Sequence, residues 1–264
     1  MTMAMAFDFD GTILFQHGVS GEDQAAIARW QQAGNLAVAC TGKSIYAARY
    51  ALKDTSIRFD YNVLYTGAVV TDADYTVLYK QTLPVDIVRS CVEKWGDHQG
   101  LALFATSLEY DFRLGGALDS STSILAAFEP LALEDLESHE YVGIPFWIPD
   151  ARLRDEVYEW ILASFGERID CHKNQDFLDI VPPASSKGTG LDWLARYLAP
   201  AEYTWVSVGD SYNDIPMHRW ADVSASFECS PLSVKRATDR VITSTHELID
   251  GLLEEPIERS AAAK

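Results

Sequence analysis

The chain has 264 residues, of which 48% are hydrophobic and 23% charged, a balance typical of a folded globular protein and not of a fibrous, low-complexity or disordered one. Its 21 basic and 39 acidic residues give a formal net charge of -18, which argues against nucleic acid and anionic membranes as partners because the bulk surface repels phosphates. No apolar run reaches the roughly 18 residues of a membrane span and no signal-peptide pattern opens the chain, so we expect a cytoplasmic protein.

The first third of the chain alternates short apolar runs with amphipathic stretches, the pattern of βα units in a parallel sheet. Buried strands are predicted over residues 3–9, 36–40 and 62–65. A helix capped by Ser20 and ended by Gly34 follows the first strand, and a second helix is predicted over residues 44–53.

The pattern changes from about residue 83. A helix is predicted over residues 85–95, and two strands at 101–105 and 110–114 are joined by a short polar link, which favours antiparallel pairing. The remaining elements of this block are a strand, a helix and two more strands, at residues 141–148, 150–165, 168–172 and 177–181. We expect this block to be a separate α+β domain.

The opening pattern returns after Pro182-Pro183. A helix is predicted from Lys187, followed by a buried strand at 204–208, a helix at 215–220 and a strand at 223–227. An amphipathic stretch is predicted after Ser230-Pro231, and a frayed tail over 254–264. The order of elements favours one α/β core, formed by residues 1–82 and 183–264, that is interrupted by an α+β domain of residues 83–182.

The cysteines are far apart in the sequence and form no CxxC pair, so neither a zinc site nor a disulfide framework is indicated. We expect reduced, buried thiols at all four positions. They are Cys40, Cys91, Cys171 and Cys229.

Two carboxylates, Asp8 and Asp10, stand where the first predicted strand gives way to a loop, in the segment Phe7-Asp8-Phe9-Asp10-Gly11-Thr12. Ligands of an open parallel sheet bind at this carboxyl edge. Because Gly11 allows the backbone to turn there, the two side chains can take different roles around one centre.

A second apolar strand runs into acidic residues at Val208-Gly209-Asp210-Ser211-Tyr212-Asn213-Asp214. If the two strands are neighbours, Asp210 and Asp214 join Asp8 and Asp10 at the same edge of the sheet. Four converging carboxylates require a cation, and hard oxygen ligands suit Mg²⁺. The sequence therefore predicts a magnesium site.

These segments resemble the haloacid dehalogenase (HAD) superfamily. Asp8-Phe9-Asp10-Gly11-Thr12 is similar to its DxDGT signature, and residues 209–214 are similar to the GDxxND form of its fourth motif. Thr41-Gly42 and Lys187-Gly188 match the second and third motifs in order. The insert between those two motifs resembles the C2-type cap of the Cof-like phosphatases, which implies a Rossmann-like parallel-sheet core with an inserted α+β cap.

The resemblance implies a Mg²⁺-dependent phosphatase that works through an aspartyl-phosphate. Asp8 would be the nucleophile and Asp10 the general acid and base. The metal would be held by Asp8, the backbone carbonyl of Asp10, and Asp210, with Asp214 direct or through water. Thr41, Gly42 and Lys187 would bind the phosphoryl oxygens.

Further residues are expected to orient the catalytic groups or to contact the substrate. Asn213 and Ser211 are expected to orient the metal ligands or Lys187. Lys43 stands where the family commonly has Arg, so this position offers the substrate a single ammonium charge instead of a bidentate guanidinium. The candidate substrate contacts are Lys43 and, in a polar turn of the insert, His172, Asn174 and Gln175.

Small phosphorylated metabolites are the expected substrates, with sugar phosphates first and pyridoxal phosphate or a nucleotide second. One alternative is a phosphosugar mutase, which returns the phosphoryl group to the sugar. Another is a metabolite-binding sensor on an inactive phosphatase, which the presence of both Asp8 and Asp10 disfavours. The sequence leaves the oligomeric state open.

Overall fold

The computed structural model describes residues 2–118 and 128–255. Its strands form two sheets, one of eight strands and one of six within the described ranges. Glu254 is the last residue of the final described helix, and residues 256–264 of the predicted tail lie outside the described residues. No helix in these two ranges has the length and apolar character that crossing a bilayer requires.

The larger sheet draws its strands from both ends of the chain. They are β1 (Met3–Phe7), β2 (Leu36–Cys40), β3 (Tyr61–Leu64), β4 (Val69–Asp72), β5 (Val77–Lys80), β12 (Thr204–Val208), β13 (Val223–Phe227) and β14 (Arg240–Ile242). In spatial order the sheet is β14-β13-β12-β1-β2-β3-β4-β5, with parallel pairing as far as β3 and antiparallel pairing beyond it. This confirms the predicted α/β fold.

Helices cover both faces of the larger sheet, and apolar side chains form the contacts between the helices and the sheet. One face packs against α1 (Gly21–Gln32), α2 (Ile45–Leu52) and α8 (Thr245–Glu254), with the fully buried Trp30 of α1 at the centre. The other face packs against α5 (Lys187–Tyr197) and α6 (Ile215–Trp220) through Leu191, Leu194 and Met217. A short α7 (Leu232–Lys235) completes this half. The Ser20 cap of α1 is confirmed, since its side chain accepts a hydrogen bond from the Asp23 N–H.

The smaller sheet takes all its strands from residues 102–181. They are β6 (Ala102–Ser107), β7 (Asp111–Gly115), β8 (Glu129–Pro130), β9 (Tyr141–Trp147), β10 (Asp170–Asn174) and β11 (Phe177–Val181), arranged as β10-β11-β9-β6-β7-β8. Helices α3 (Val85–Trp95) and α4 (Ala151–Phe165) cover one face of this sheet. Its other face carries a second cluster around Phe104, Phe128 and Phe177.

Several sequence predictions differ from the structure. The strand predicted over residues 3–9 ends at Phe7, because the carbonyl of Phe9 accepts three N–H groups of a tight loop, those of residues 12–14. The hairpin β4–β5 and the short edge strand β14 were not predicted. The expectation of four buried thiols is wrong for Cys229, which is exposed, and Cys171 is only partly buried.

Candidate active site

Two loops that follow neighbouring parallel strands place the acidic residues together. Asp8 comes directly after β1, and its N–H donates to the carbonyl of Val208, the last residue of β12. Gly11 lies in the left-handed region, with φ of 80°, and a Cβ there would lie 2.6 Å from Oδ2 of Asp210. Only glycine therefore lets the loop after β1 pass so close to the Asp210 carboxylate.

Lys187 is the fully buried cation of the site. It is the first residue of α5, whose start is fixed by a capping box between Ser186 and Thr189. Its Nζ lies 2.5 Å from Oδ1 of Asp8 and 2.5 Å from Oδ1 of Asp214. A buried ammonium is tolerated here because two carboxylates lie within hydrogen-bond distance of it.

Three of the acids also form a group that suits a metal ion. Carboxylate oxygens of Asp8, Asp210 and Asp214 lie within 4.8 Å of one another. Oδ1 of Asp210 is buried without a hydrogen-bond partner in the described chain, which is the expected state of an oxygen reserved for a cation. Asp214 is engaged on both oxygens, by Lys187 and by the N–H of Ser211 at 2.8 Å.

Lys187 alone does not compensate the negative charge of the three carboxylates. Burial, together with the neighbouring Asp214, raises the pKa of Asp8 to about 8, although Lys187 opposes the shift. Burial and Asp214 likewise raise the pKa of Asp210 to about 6. Burial alone would lower the pKa of Lys187, but Asp214 and Asp8 outweigh it and hold that pKa above its ordinary value. A divalent cation would favour the ionised form of all three carboxylates.

Thr41, Gly42 and Lys43 form the loop after β2, beside the loop after β1. Thr41 is buried, and its hydroxyl accepts a hydrogen bond from the Lys43 N–H at 3.2 Å. The ammonium of Lys43 lies 2.7 Å from Oδ2 of Asp10. The Asp10 side chain is half exposed and does not belong to the three-carboxylate group.

A cavity of about 270 Å³ lies over these loops, between the two sheets. The larger sheet contributes Asp8, Asp10, Thr41, Gly42 and Lys43 to the described lining, and the smaller sheet contributes Asn174, Gln175 and Asp179. The hydroxyl residues Ser44 and Thr106 and several apolar side chains from both sides complete the described wall; the apolar ones are Leu14, Ala47, Phe128, Pro145 and Phe177. The volume is at the small end for ligand sites and suits a metabolite-sized molecule.

A family comparison identifies the chain. The family model of the haloacid dehalogenase-like hydrolases matches residues 5–255. The chain belongs to this family. The finding confirms the resemblance seen in the four motifs and makes the protein an enzyme.

Individual relatives of this haloacid dehalogenase-like hydrolase are distant in sequence. The HMP-PP phosphatase of Yersinia enterocolitica is 24% identical over 216 residues, which are 80% of this chain and 78% of that protein. A sugar phosphatase of HAD subclass IIB superposes with a TM-score of 0.77 at 20% identity, over 96% of this chain and 98% of that one. A haloacid dehalogenase-like hydrolase from B. subtilis gives a TM-score of 0.81 at 16% identity, over 97% and 100% of the two chains. The solved structures share the fold of this hydrolase.

The structure brings together some of the predicted supporting residues of the hydrolase and separates others. Asn174 and Gln175 line the cavity, and the Oδ1 of Asn174 lies 3.5 Å from the hydroxyl of Ser211 across the two sheets. His172 does not reach this cavity, because its Nε2 lies 2.8 Å from the carbonyl of Ser185 in the connection back to the larger sheet. Asn213 is buried, and its Oδ1 has no partner among the described residues, so this oxygen does not contact Lys187. A role of Asn213 in orienting the metal ligands stays a prediction.

Buried polar contacts join the two sheets beside the cavity. The hydroxyl of Ser44, which caps α2, donates to Oδ2 of Asp111 on β7. The Tyr65 hydroxyl donates to the carbonyl of Ser107 at 2.7 Å. Burial raises the pKa of Asp111 to about 7, since the Ser44 hydroxyl is its single hydrogen-bond partner in the described chain.

Sequence reasoning missed Asp179, the third carboxylate of the cavity. It lies in the middle of β11, paired with Pro145 of β9 and His172 of β10. Its neighbours along the strand, Leu178 and Ile180, are fully buried. A single acid in an apolar strand was the available signal, because it must face either solvent or a site.

Proposed function

We propose that this hydrolase cleaves small phosphomonoesters through a phosphoryl intermediate on Asp8, with Mg²⁺ as its cofactor. The enzyme is a phosphatase. The observation that carries the mechanism is the placement of Asp8, whose carboxylate is buried at the floor of the cavity and held by Lys187 at 2.5 Å. A fixed carboxylate beside a buried cation can attack an anionic phosphoryl group that free carboxylates repel.

In the first half-reaction an oxygen of Asp8 attacks phosphorus, and the bond from phosphorus to the ester oxygen breaks. The leaving alkoxide takes a proton from Asp10, which is half exposed to the cavity and lies within reach of a leaving group. In the second half-reaction Asp10 accepts a proton from water, whose oxygen attacks phosphorus and releases Asp8. The ammonium of Lys43, at 2.7 Å from Oδ2 of Asp10, holds this side chain in place.

The phosphoryl oxygens would be bound by the hydroxyl of Thr41, the N–H of Gly42 and the ammonium of Lys187. Mg²⁺, when bound, would neutralise the repulsion between the carboxylate and the phosphoryl group. Asp8 and Asp210 are the residues that would hold it, together with the backbone carbonyl of Asp10. Because both oxygens of Asp214 accept hydrogen bonds, we assign Asp214 to fix Lys187 and the Ser211 loop and to act on the metal through water.

The substrate class follows from the size of the cavity and from the relatives. About 270 Å³ accommodates a metabolite with a single ring and excludes a macromolecular substrate from the interior. The relatives include proteins named as an HMP-PP phosphatase and a sugar phosphatase. Both names describe phosphorylated small molecules, which supports a compact phosphomonoester as the substrate.

The test is phosphate release from a panel of sugar phosphates, pyridoxal phosphate and nucleoside monophosphates, each with Mg²⁺ and with EDTA. Release is expected from at least one compound, and both EDTA and the substitution Asp8→Asn should abolish it. The control Asp74→Asn changes an exposed carboxylate that pairs with Arg58 far from the cavity, and it should retain activity. Phosphate release that survives both EDTA and Asp8→Asn would overturn the proposal.

A further inference from the structure

Asp179 brings a carboxylate from the smaller sheet onto the loop that is expected to bind the phosphoryl group. Its Oδ2 is 3.8 Å from the position that a Cβ on Gly42 would occupy. The side chain lines the same cavity as Asp8 and Asp10. A negative charge this close to the loop repels an anionic substrate unless something compensates it.

No side chain in the described chain pairs directly with Asp179. Asp8 pairs with Lys187 and Asp10 pairs with Lys43, at 2.5 Å and 2.7 Å. Asp179, by contrast, forms neither a hydrogen bond nor an ion pair among the described residues, although both lysines are close enough to act on it through space. Burial raises the pKa of Asp179 to about 7 despite these lysines, as expected for a carboxylate without a partner.

Asp179 is the one charged side chain of the described lining without an ion-pair partner, and the other polar groups there are hydroxyls and the neutral amides of Asn174 and Gln175. The hydroxyl of Thr106 donates to the carbonyl of Gly143, and the hydroxyl of Ser44 donates to Asp111. The opposite wall is formed by apolar side chains, among them Phe128 and Phe177. A protonated nitrogen would form an ion pair with Asp179 while its ring packs against this wall, whereas a neutral hydroxyl would form at most a hydrogen bond there.

We infer that Asp179 is a specificity-determining residue that binds a basic nitrogen on the alcohol portion of the substrate. The inference rests on the proposed function and narrows it to phosphomonoesters whose alcohol carries an amine or a protonated ring nitrogen, preferably on a compact apolar ring. The positive charge of the nitrogen compensates Asp179, and the ring packs against the apolar wall. A neutral analogue of the same size leaves the carboxylate buried and unpaired.

Two pairs of substrates that differ in one amine test this inference. One pair is 3-(aminomethyl)benzyl phosphate and 3-ethylbenzyl phosphate, and the other is glucosamine 6-phosphate and glucose 6-phosphate. The wild-type enzyme is expected to favour the amine-bearing member of each pair by about tenfold or more in kcat/KM, since a charged hydrogen bond is gained. In Asp179→Asn, which preserves the shape of the side chain, the ratio should fall to about one.

A matched control is Asp176→Asn on the same hairpin. Asp176 is exposed, pairs with Arg154 and does not line the cavity, so this variant should keep the wild-type ratio. Hydrolysis of 4-nitrophenyl phosphate, which carries no amine, reports the proposed function separately, and thermal unfolding confirms that each variant is folded. Equal rates within the pairs for the wild type, or an unchanged preference in Asp179→Asn, would overturn the inference while the phosphatase activity stands. Absence of hydrolysis with every compound would overturn the proposed function and this inference with it.

Discussion

Removing the charge of Lys187 should destabilise the protein strongly. The substitution Lys187→Met preserves most of the side-chain volume but leaves Asp8 and Asp214 buried without their shared cation, which lies 2.5 Å from each. Breaking a buried ion pair on one side costs about 3–5 kcal/mol, because the remaining charge cannot be solvated. We therefore expect the free energy of unfolding of the metal-free protein to fall by about that amount.

The assay is urea denaturation in EDTA, analysed by linear extrapolation. Lys43→Met is the matched control, since Lys43 also pairs with a carboxylate of the site, but water reaches its partner Asp10, which is 49% exposed. Its loss should stay below about 1 kcal/mol. Adding Asp214→Asn to Lys187→Met should recover about 1–3 kcal/mol, because one uncompensated charge is removed.

Added Mg²⁺ should also restore part of the stability of Lys187→Met, because a divalent cation bound to Asp8 and Asp210 supplies positive charge to the same group. The reasoning is refuted if Lys187→Met loses no more stability in EDTA than Lys43→Met does. Such a result would mean that the buried carboxylates take up protons without cost and that Lys187 does not hold them together.

Three further predictions concern the nucleophile, the loop after β3 and a buried acid. Asp8→Asn should lower kcat by about a thousandfold or more while the circular dichroism spectrum stays unchanged, and a variant with near-normal turnover would exclude Asp8 as nucleophile. Gly67→Ala should cost about 3 kcal/mol in urea denaturation, because its Cβ would lie 1.9 Å from the backbone carbonyl oxygen of Ser186 at a φ of 94°. Gly34→Ala, with φ of 84° and no atom within 4 Å, should cost only about 1–2 kcal/mol, and equal losses would refute the clash. Asp111 has a pKa of about 7 in the folded protein against 3.8 ordinarily, so the folded state binds the proton more tightly and stability falls as pH rises through this window. Compared at about pH 5.5 and 8.5, the wild type should therefore lose more stability than Asp111→Asn, and parallel pH profiles would contradict the shift.

The sequence was informative where local chemistry decides the structure. Ser20 and Ser44 were predicted at helix starts, and both side chains accept a hydrogen bond from an N–H in the first turn. The apolar runs at residues 36–40 and 204–208 were predicted as strands with the bounds that the structure shows. The acids that follow the strands converge because the carboxyl ends of neighbouring parallel strands meet at one edge of the sheet.

The remaining features depend on contacts distant in sequence. The hairpin β4–β5 lacks a strong apolar pattern because β5 is an edge strand whose side chains are partly or fully exposed. His172 and Asp179 are cross-strand neighbours, yet the first binds the Ser185 carbonyl and the second faces the cavity. Only the path of the chain back to the larger sheet decides between these two environments, and no local pattern encodes that path.

The central claim is that the phosphoryl group passes through Asp8. The most direct measurement is to mix the Asp10→Asn variant with Mg²⁺ and a substrate that the wild-type enzyme hydrolyses, and then to quench the reaction in acid. Peptide mass spectrometry then determines the mass and position of any modification. With a substrate whose leaving group needs no proton, such as 4-nitrophenyl phosphate, Asp10→Asn slows only the attack of water, so one phosphoryl group on Asp8 is expected to accumulate. Phosphate release without any phosphorylated Asp8, or a phosphoryl group on another residue, would contradict the account.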